Sequence, residues 1–116
     1  MAELFHLADR GEWLAAEAAG EYRMSTRGVT LAEQGFIHCS QRHQVRGVAE
    51  RYYADADDLV LLVIDSGLVG SPVRYEAPPD GVEEYPHIYG ALPADAVTAV
   101  VPVRRDRDGR FILPDY

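Results

Sequence analysis

Lysine and asparagine are both missing from the 116 residues, and cysteine occurs once. A P-loop needs its lysine on the phosphates, a Schiff-base enzyme needs a lysine amine, and a Cys-His-Asn protease needs its amide. None of the three can be built here. One cysteine forms no internal disulfide, so the simplest compartment is the cytoplasm. Long hydrophobic runs are missing too. The longest, Leu59 to Ile64, is too short to span a bilayer, and MAELFHLADR has neither the basic start nor the apolar run of a signal peptide. Positive charge is scarce: eleven arginines face 19 acidic residues, for a net charge of −8. Duplex nucleic acid is therefore not an expected partner, because that affinity comes mostly from basic groups on phosphates. A single nucleotide held by one local arginine remains compatible with this charge.

What is present is globular composition, 47% hydrophobic and 26% charged, enough for one packed domain spanning residues 1–116. Leu4 to Leu7 reads as a strand. Asp9 precedes Glu12 by three residues and caps a helix over GEWLAAEAAG, with Trp13, Leu14 and Ala16 at helical spacing and Gly20 as the stop. Thr30 and Glu33 repeat the capping-box spacing, and Gly35 ends that turn. Phe36 to Cys39 reads as a second strand. Ser40 can then cap a helix to about Tyr53, whose apolar face is Val45, Val48, Ala49 and Tyr52. Leu59 to Ile64, continuously apolar, predicts a central strand covered on both faces. Pro72 to Glu76 reads as a strand nearer an edge, Ala77 to Pro86 as a Pro-rich loop, and Val97 to Val103 as a strand. Asp106 to Gly109 turns into a last hairpin arm, Arg110 to Leu113. The late strands come without helices between them, which predicts an α+β fold: a curved, mostly antiparallel split sheet with two main helices.

Three of the four histidines sit in compact apolar-aromatic settings, His6 in FHL, His38 in GFIHCS and His87 in YPHIYG. Successive strand side chains point to opposite faces, so His38 and Cys39 cannot cooperate, whereas His38 with Ser40, and His87 with Tyr89, can share a face. Cys39 then reads as a small buried hydrophobe rather than a nucleophile. Each histidine alone is as well explained by a satisfied structural role. Three on strands of one small sheet favour a shared site, since each would otherwise need its own buried partners. His43, in the first turn of the second helix, reads as solvated. Arg74 and Glu76 share a face of their strand, either as a weak edge ion pair or as an anion-binding arginine beside a general acid or base. Trp13 and Tyr22 flank a candidate pocket mouth, though Trp13 at helical spacing fits the core equally. Glu83, Glu84 and Tyr85 fall in the Pro-rich loop. Arg104 to Asp108 alternates in sign and reads as a solvated hairpin end.

The ordered segments Gly20-x-Tyr22, Leu31-x-x-x-Gly35-Phe36-Ile37-His38-Cys39-Ser40, Asp58 to Leu62, Val73-Arg74-Tyr75-Glu76 and Pro86-His87-Ile88-Tyr89-Gly90 together resemble a bacterial family catalogued as domain of unknown function 952. The resemblance runs from about residue 3 to residue 103. It implies a fold similar to ADP-ribosyltransferases and tRNA 2′-phosphotransferases, a split antiparallel sheet around a nicotinamide-dinucleotide cleft. On that similarity His6 matches the first-strand histidine that holds a ribose, and His38 and Ser40 fall in the second motif region. The transferases carry a catalytic glutamate on a late strand, and here the sequence departs, since Val97 to Val103 contains no acid. Glu76 is the stand-in only if the sheet brings it to the cleft.

These readings lead to a cleft lined by His6, His38, Ser40, Arg74, Glu76, His87 and Tyr89, with Tyr22 at its mouth. The expected ligand is a nucleotide-like or phosphorylated small molecule, of the NAD or ADP-ribose type. The expected reaction, if there is turnover, is ADP-ribosyl or phosphoryl transfer or hydrolysis. His6, His38, Glu76 and His87 are its catalytic candidates, and Ser40, Arg74, Tyr89 and Tyr22 its ligand-binding ones. Two rivals differ in class: a metabolite-sensing module without turnover, and a histidine-ligated metal enzyme. No HxxxH or CxxC spacing supports the second.

Overall fold

The structure, a computed structural model, describes residues 2–79 and 81–114. Its backbone is a set of antiparallel ladders, three long strands in one of them and short strands in the rest. In chain order the strands are β1 (Glu3–Asp9), β2 (Glu21–Tyr22), β3 (Met24–Thr26), β4 (Val29–Thr30), β5 (Ile37–His38), β6 (Leu59–Asp65), β7 (Val73–Glu76), β8 (Tyr85–Ile88), β9 (Leu92–Pro93), β10 (Val97–Arg105) and β11 (Phe111–Ile112). The helices are α1 (Arg10–Ala19), the single-turn α2 (Leu31–Gln34) and α3 (Val45–Tyr52), with 3-10 turns at Arg42–Gln44, Ser66–Leu68 and Ala94–Ala96.

β6 explains the main ladder, β1-β6-β10-β11. Its run is apolar at successive positions, so both faces must be buried. Val60, Leu62 and Ile64 pack with Leu4, Ala8, Trp13 and Tyr22 under α1. Leu59, Leu61 and Val63 pack with Phe5, Leu7, Val45 and Ala49 under α3. The mostly antiparallel sheet with two principal helices is therefore what the structure holds, divided among four ladders: this one, β2-β9, β3-β4 and β5-β8-β7.

Local signals set the helix ends. Asp9 accepts from the Glu12 N–H at 3.0 Å, and Gly20 closes α1 at φ 93°. Thr30 and Glu33 complete a capping box, and Gly35 at φ 95° ends α2 in the left-handed region that a β-carbon disfavours. Trp13 and Ala16 are buried on α1, whereas Leu14, expected beside them, is exposed.

Three expectations need correction. Ser40 does not cap α3. Its backbone instead exchanges two hydrogen bonds with Phe5, at 2.9 and 2.7 Å, and a 3-10 turn tied by Gln44 to the Gln41 N–H precedes the helix. Tyr52 is exposed and Tyr53, just past the last turn, takes the buried place. The loop after β7 is shorter than expected, because Tyr85 and Pro86 already pair with β7. The short strands β2 and β9 were not expected; each pairs with the other across about seventy residues.

Candidate active site on the three-stranded ladder

The order β5-β8-β7 aligns three side chains in one cross-strand row. His38 lies opposite His87, and His87 lies opposite Arg74. Because side chains alternate along a strand, Phe36 and His38, Arg74 and Glu76, and His87 and Tyr89 all project from this face. Ile37, Cys39 and Ile88 project from the other face into the core under α1. Burial there pushes the Cys39 thiol up, so it is no nucleophile at neutral pH.

The six side chains form one connected cluster. Phe36 stacks on His87 with centroids 4.0 Å apart and 19° between planes. The His38 ring meets both edge-on, at 4.9 Å from Phe36 and 4.6 Å from His87. Glu76 Oε1 accepts from His87 Nδ1–H at 2.7 Å and from the Tyr89 hydroxyl at 2.5 Å. These two donors, Tyr89 first, hold the Glu76 carboxyl below its usual range, so it is ionised at neutral pH. The Arg74 guanidinium lies 5.1 Å from the Tyr89 ring centre rather than in an ion pair with Glu76, which corrects the edge-pair reading.

This arrangement leaves an unused nitrogen in a defined place. With Nδ1 donating to a carboxylate, His87 presents Nε2 as a lone pair. No hydrogen bond to His87 Nε2 is made among the described residues, and the residue as a whole is 7% exposed. His38 is exposed, and neither of its ring nitrogens is hydrogen-bonded among the described residues. Partial desolvation against its neighbours, then the adjacent His87 ring, lowers the His38 pKa, so the ring is neutral at pH 7.

The other sequence-derived candidates lie elsewhere. His6, 4% exposed, donates from Nδ1 to the His38 carbonyl at 2.5 Å, and its Nε2 accepts from the Tyr22 hydroxyl at 2.9 Å. Both ring nitrogens are thus engaged inside the fold, and burial drives its pKa down to about 4. His6 and Tyr22 form a buried strut behind the cluster, and Ser40 stitches β5 to β1 through its backbone. Trp13 is a core residue beside Tyr22. His43 and Gln44 hold Glu83 at 3.2 and 3.0 Å, which anchors the Pro-rich loop to the turn before α3. Phe36 is the participant that sequence reasoning did not place in the site. The signal was its position two residues before His38 on the same strand.

No group of three or more His, Cys, Asp or Glu side chains among the described residues is placed to hold a metal ion. No helix among the described residues is long and apolar enough to cross a membrane.

No curated protein matches the chain. Among solved structures it is similar to protein CC0527 from Caulobacter crescentus. The crystal structure of that protein is 31% identical with a TM-score of 0.81, over 96% of this chain and 94% of the other. Its solution NMR structure is 32% identical with a TM-score of 0.77, over 95% and 91%. Residues 7–100 match the family described as protein of unknown function (DUF952). On that match across most of its length, the chain belongs to the DUF952 family.

Proposed function

We propose that the Phe36–His38–Arg74–Glu76–His87–Tyr89 face binds a phosphorylated, nucleotide-like small molecule and acts on it by general acid–base transfer or hydrolysis at a phosphate centre. The carrying observation is the Glu76–His87 pair, whose Nε2 lone pair faces away from the carboxylate with the His38 ring 4.6 Å off. A carboxylate on Nδ1 fixes the tautomer and stabilises the imidazolium that forms when Nε2 takes a proton. His87 would take the proton of water or of an acceptor hydroxyl as its oxygen bonds to phosphorus. His38, protonated once an anionic phosphate lies beside it, would return a proton to the departing oxygen. Arg74 would neutralise phosphate charge, and Phe36 and Tyr89 would flank a base or ring.

The mixed, antiparallel, split architecture supports likeness to ADP-ribosyltransferases, which makes NAD or ADP-ribose the first ligand to test. The centre attacked is a separate matter. Glu76 is held by two donors as an orienting group, and β10 carries no acid, so the site fits a phosphate better than a ribosyl centre.

Titration of ADP-ribose and NAD, followed by calorimetry and by product analysis, tests this reading. Saturable binding is expected, weakened at least tenfold in His38→Ala and His87→Gln while the melting temperature moves by only a few degrees. Binding without product after long incubation would make the domain a sensor. Unchanged affinity in both variants would remove the site altogether.

A further inference from the structure

Behind Tyr22, away from the histidine face, the fold encloses a half-open cavity of about 360 Å³. That volume falls within the range of small-ligand pockets, about 300–1,000 Å³. None of the six side chains of the proposed active site lines it. Its wall is made by β1, the first turn of α1, β2, β3 and the segment from the end of α3 to the start of β6. Leu7, Ala56 and Leu59 supply apolar surface, and the buried rings of Tyr22 and Tyr53 supply aromatic surface.

Two features of this lining are unsatisfied within the protein. Thr26 Oγ1 and the Tyr53 hydroxyl share one hydrogen bond at 3.0 Å. Two hydroxyls carry two protons, so one O–H in this pair has no acceptor among the described residues. The charge is also unbalanced. Asp9, Glu12 and Asp57 border the cavity, while its arginine, Arg27, is already bonded to Asp55 at 2.5 Å. Glu12 and Asp57 have no ion-pair partner among the described residues, and Glu12 is raised above the usual carboxyl range by burial and by Asp9. An anion would be repelled here, and a bare metal ion finds no three-ligand group. A neutral guest would leave the carboxylates as they are.

We infer that this cavity binds a small organic ammonium ion with an apolar or aromatic body and one hydrogen-bond acceptor. The ammonium lies toward Glu12 and Asp57, the body lies against Tyr22, Tyr53 and Leu59, and the acceptor takes the spare hydroxyl proton. The inference is independent of the phosphate-site reading, since the two sites share no side chain.

Three probes with the same ring separate the contributions: phenethylamine, 2-phenylethanol and 3-phenylpropionate. NMR titration of the full chain at pH 7.5 and low salt is expected to show saturable phenethylamine shifts at Ala8, Tyr22 and Ala56. The alcohol should bind at least tenfold more weakly, and the carboxylate should not saturate. Glu12→Gln with Asp57→Asn, both at exposed positions, should weaken the amine at least tenfold, whereas His38→Ala should leave it unchanged. Equal affinity for amine and alcohol, or no saturable amine binding to the native chain, overturns the inference whatever the variants do. A native chain that binds the amine but not ADP-ribose would count against the histidine site alone.

Discussion

The His6 imidazole is neutral because burial takes it out of water, with its Nδ1–H donating to the His38 carbonyl and its Nε2 accepting from the Tyr22 hydroxyl. Protonation would put a second donor against Tyr22 inside the core. Its folded pKa near 4 lies below the ordinary 6.5, so the unfolded chain takes up the proton first. The stability this confers is complete above pH 6.5 and is lost as pH falls toward 4. At about 1.4 kcal/mol per pH unit, the window is worth about 3 kcal/mol. His6→Gln can keep a donor for the carbonyl and an acceptor for Tyr22 but cannot titrate. Urea denaturation of this variant between pH 4 and 7 should therefore show a flatter dependence than the native chain; an unchanged slope would place the buried proton site elsewhere. Glu76 works in a lower window. Its bonds from Tyr89 and His87 are lost only as pH falls through its depressed value. Chemistry at the residue scale was partly legible in the sequence: histidines in apolar settings, an arginine and a glutamate two apart. Which nitrogen is free was not, because that depends on a carboxylate eleven positions away.

At the scale of the element, the site depends on the β7–β8 hairpin lying flush against β5. Gly90 follows Tyr89, and a β-carbon there would collide with the Ser71 side chain just before β7. Gly90→Ala should cost about 1–3 kcal/mol as an overpacked contact. Ser71→Gly in the same chain should recover part of that loss, which a double-mutant cycle by thermal melting would measure. Additive losses would mean that the glycine serves another purpose. Caps at Asp9, Thr30, Gly20 and Gly35 were readable because capping is chemistry within four residues. The Ser40 assignment failed for the complementary reason. Its backbone is claimed by Phe5, thirty-five positions earlier, and a local pattern carries no trace of a distant partner.

Across the whole molecule, β6 is the axis on which both cores depend. Leu61 and Leu62 are adjacent, both fully buried, and on opposite faces. Leu61→Ala and Leu62→Ala should each cost about 2–5 kcal/mol in urea denaturation; a strand wetted on one face would show the loss at one position only. The double burial, the antiparallel character, the two main helices and the scarcity of positive charge were determined by the sequence alone. Each follows from local periodicity, short-range capping or a simple count of side chains. Tertiary structure alone decided that His38, His87 and Arg74 occupy one row and that His6 retreats into a strut with Tyr22. It alone opened an acid-rimmed cavity behind them. The physical reason is that cross-strand register and cavity shape arise from pairings among segments tens of residues apart, whose free energy is shared by the whole fold.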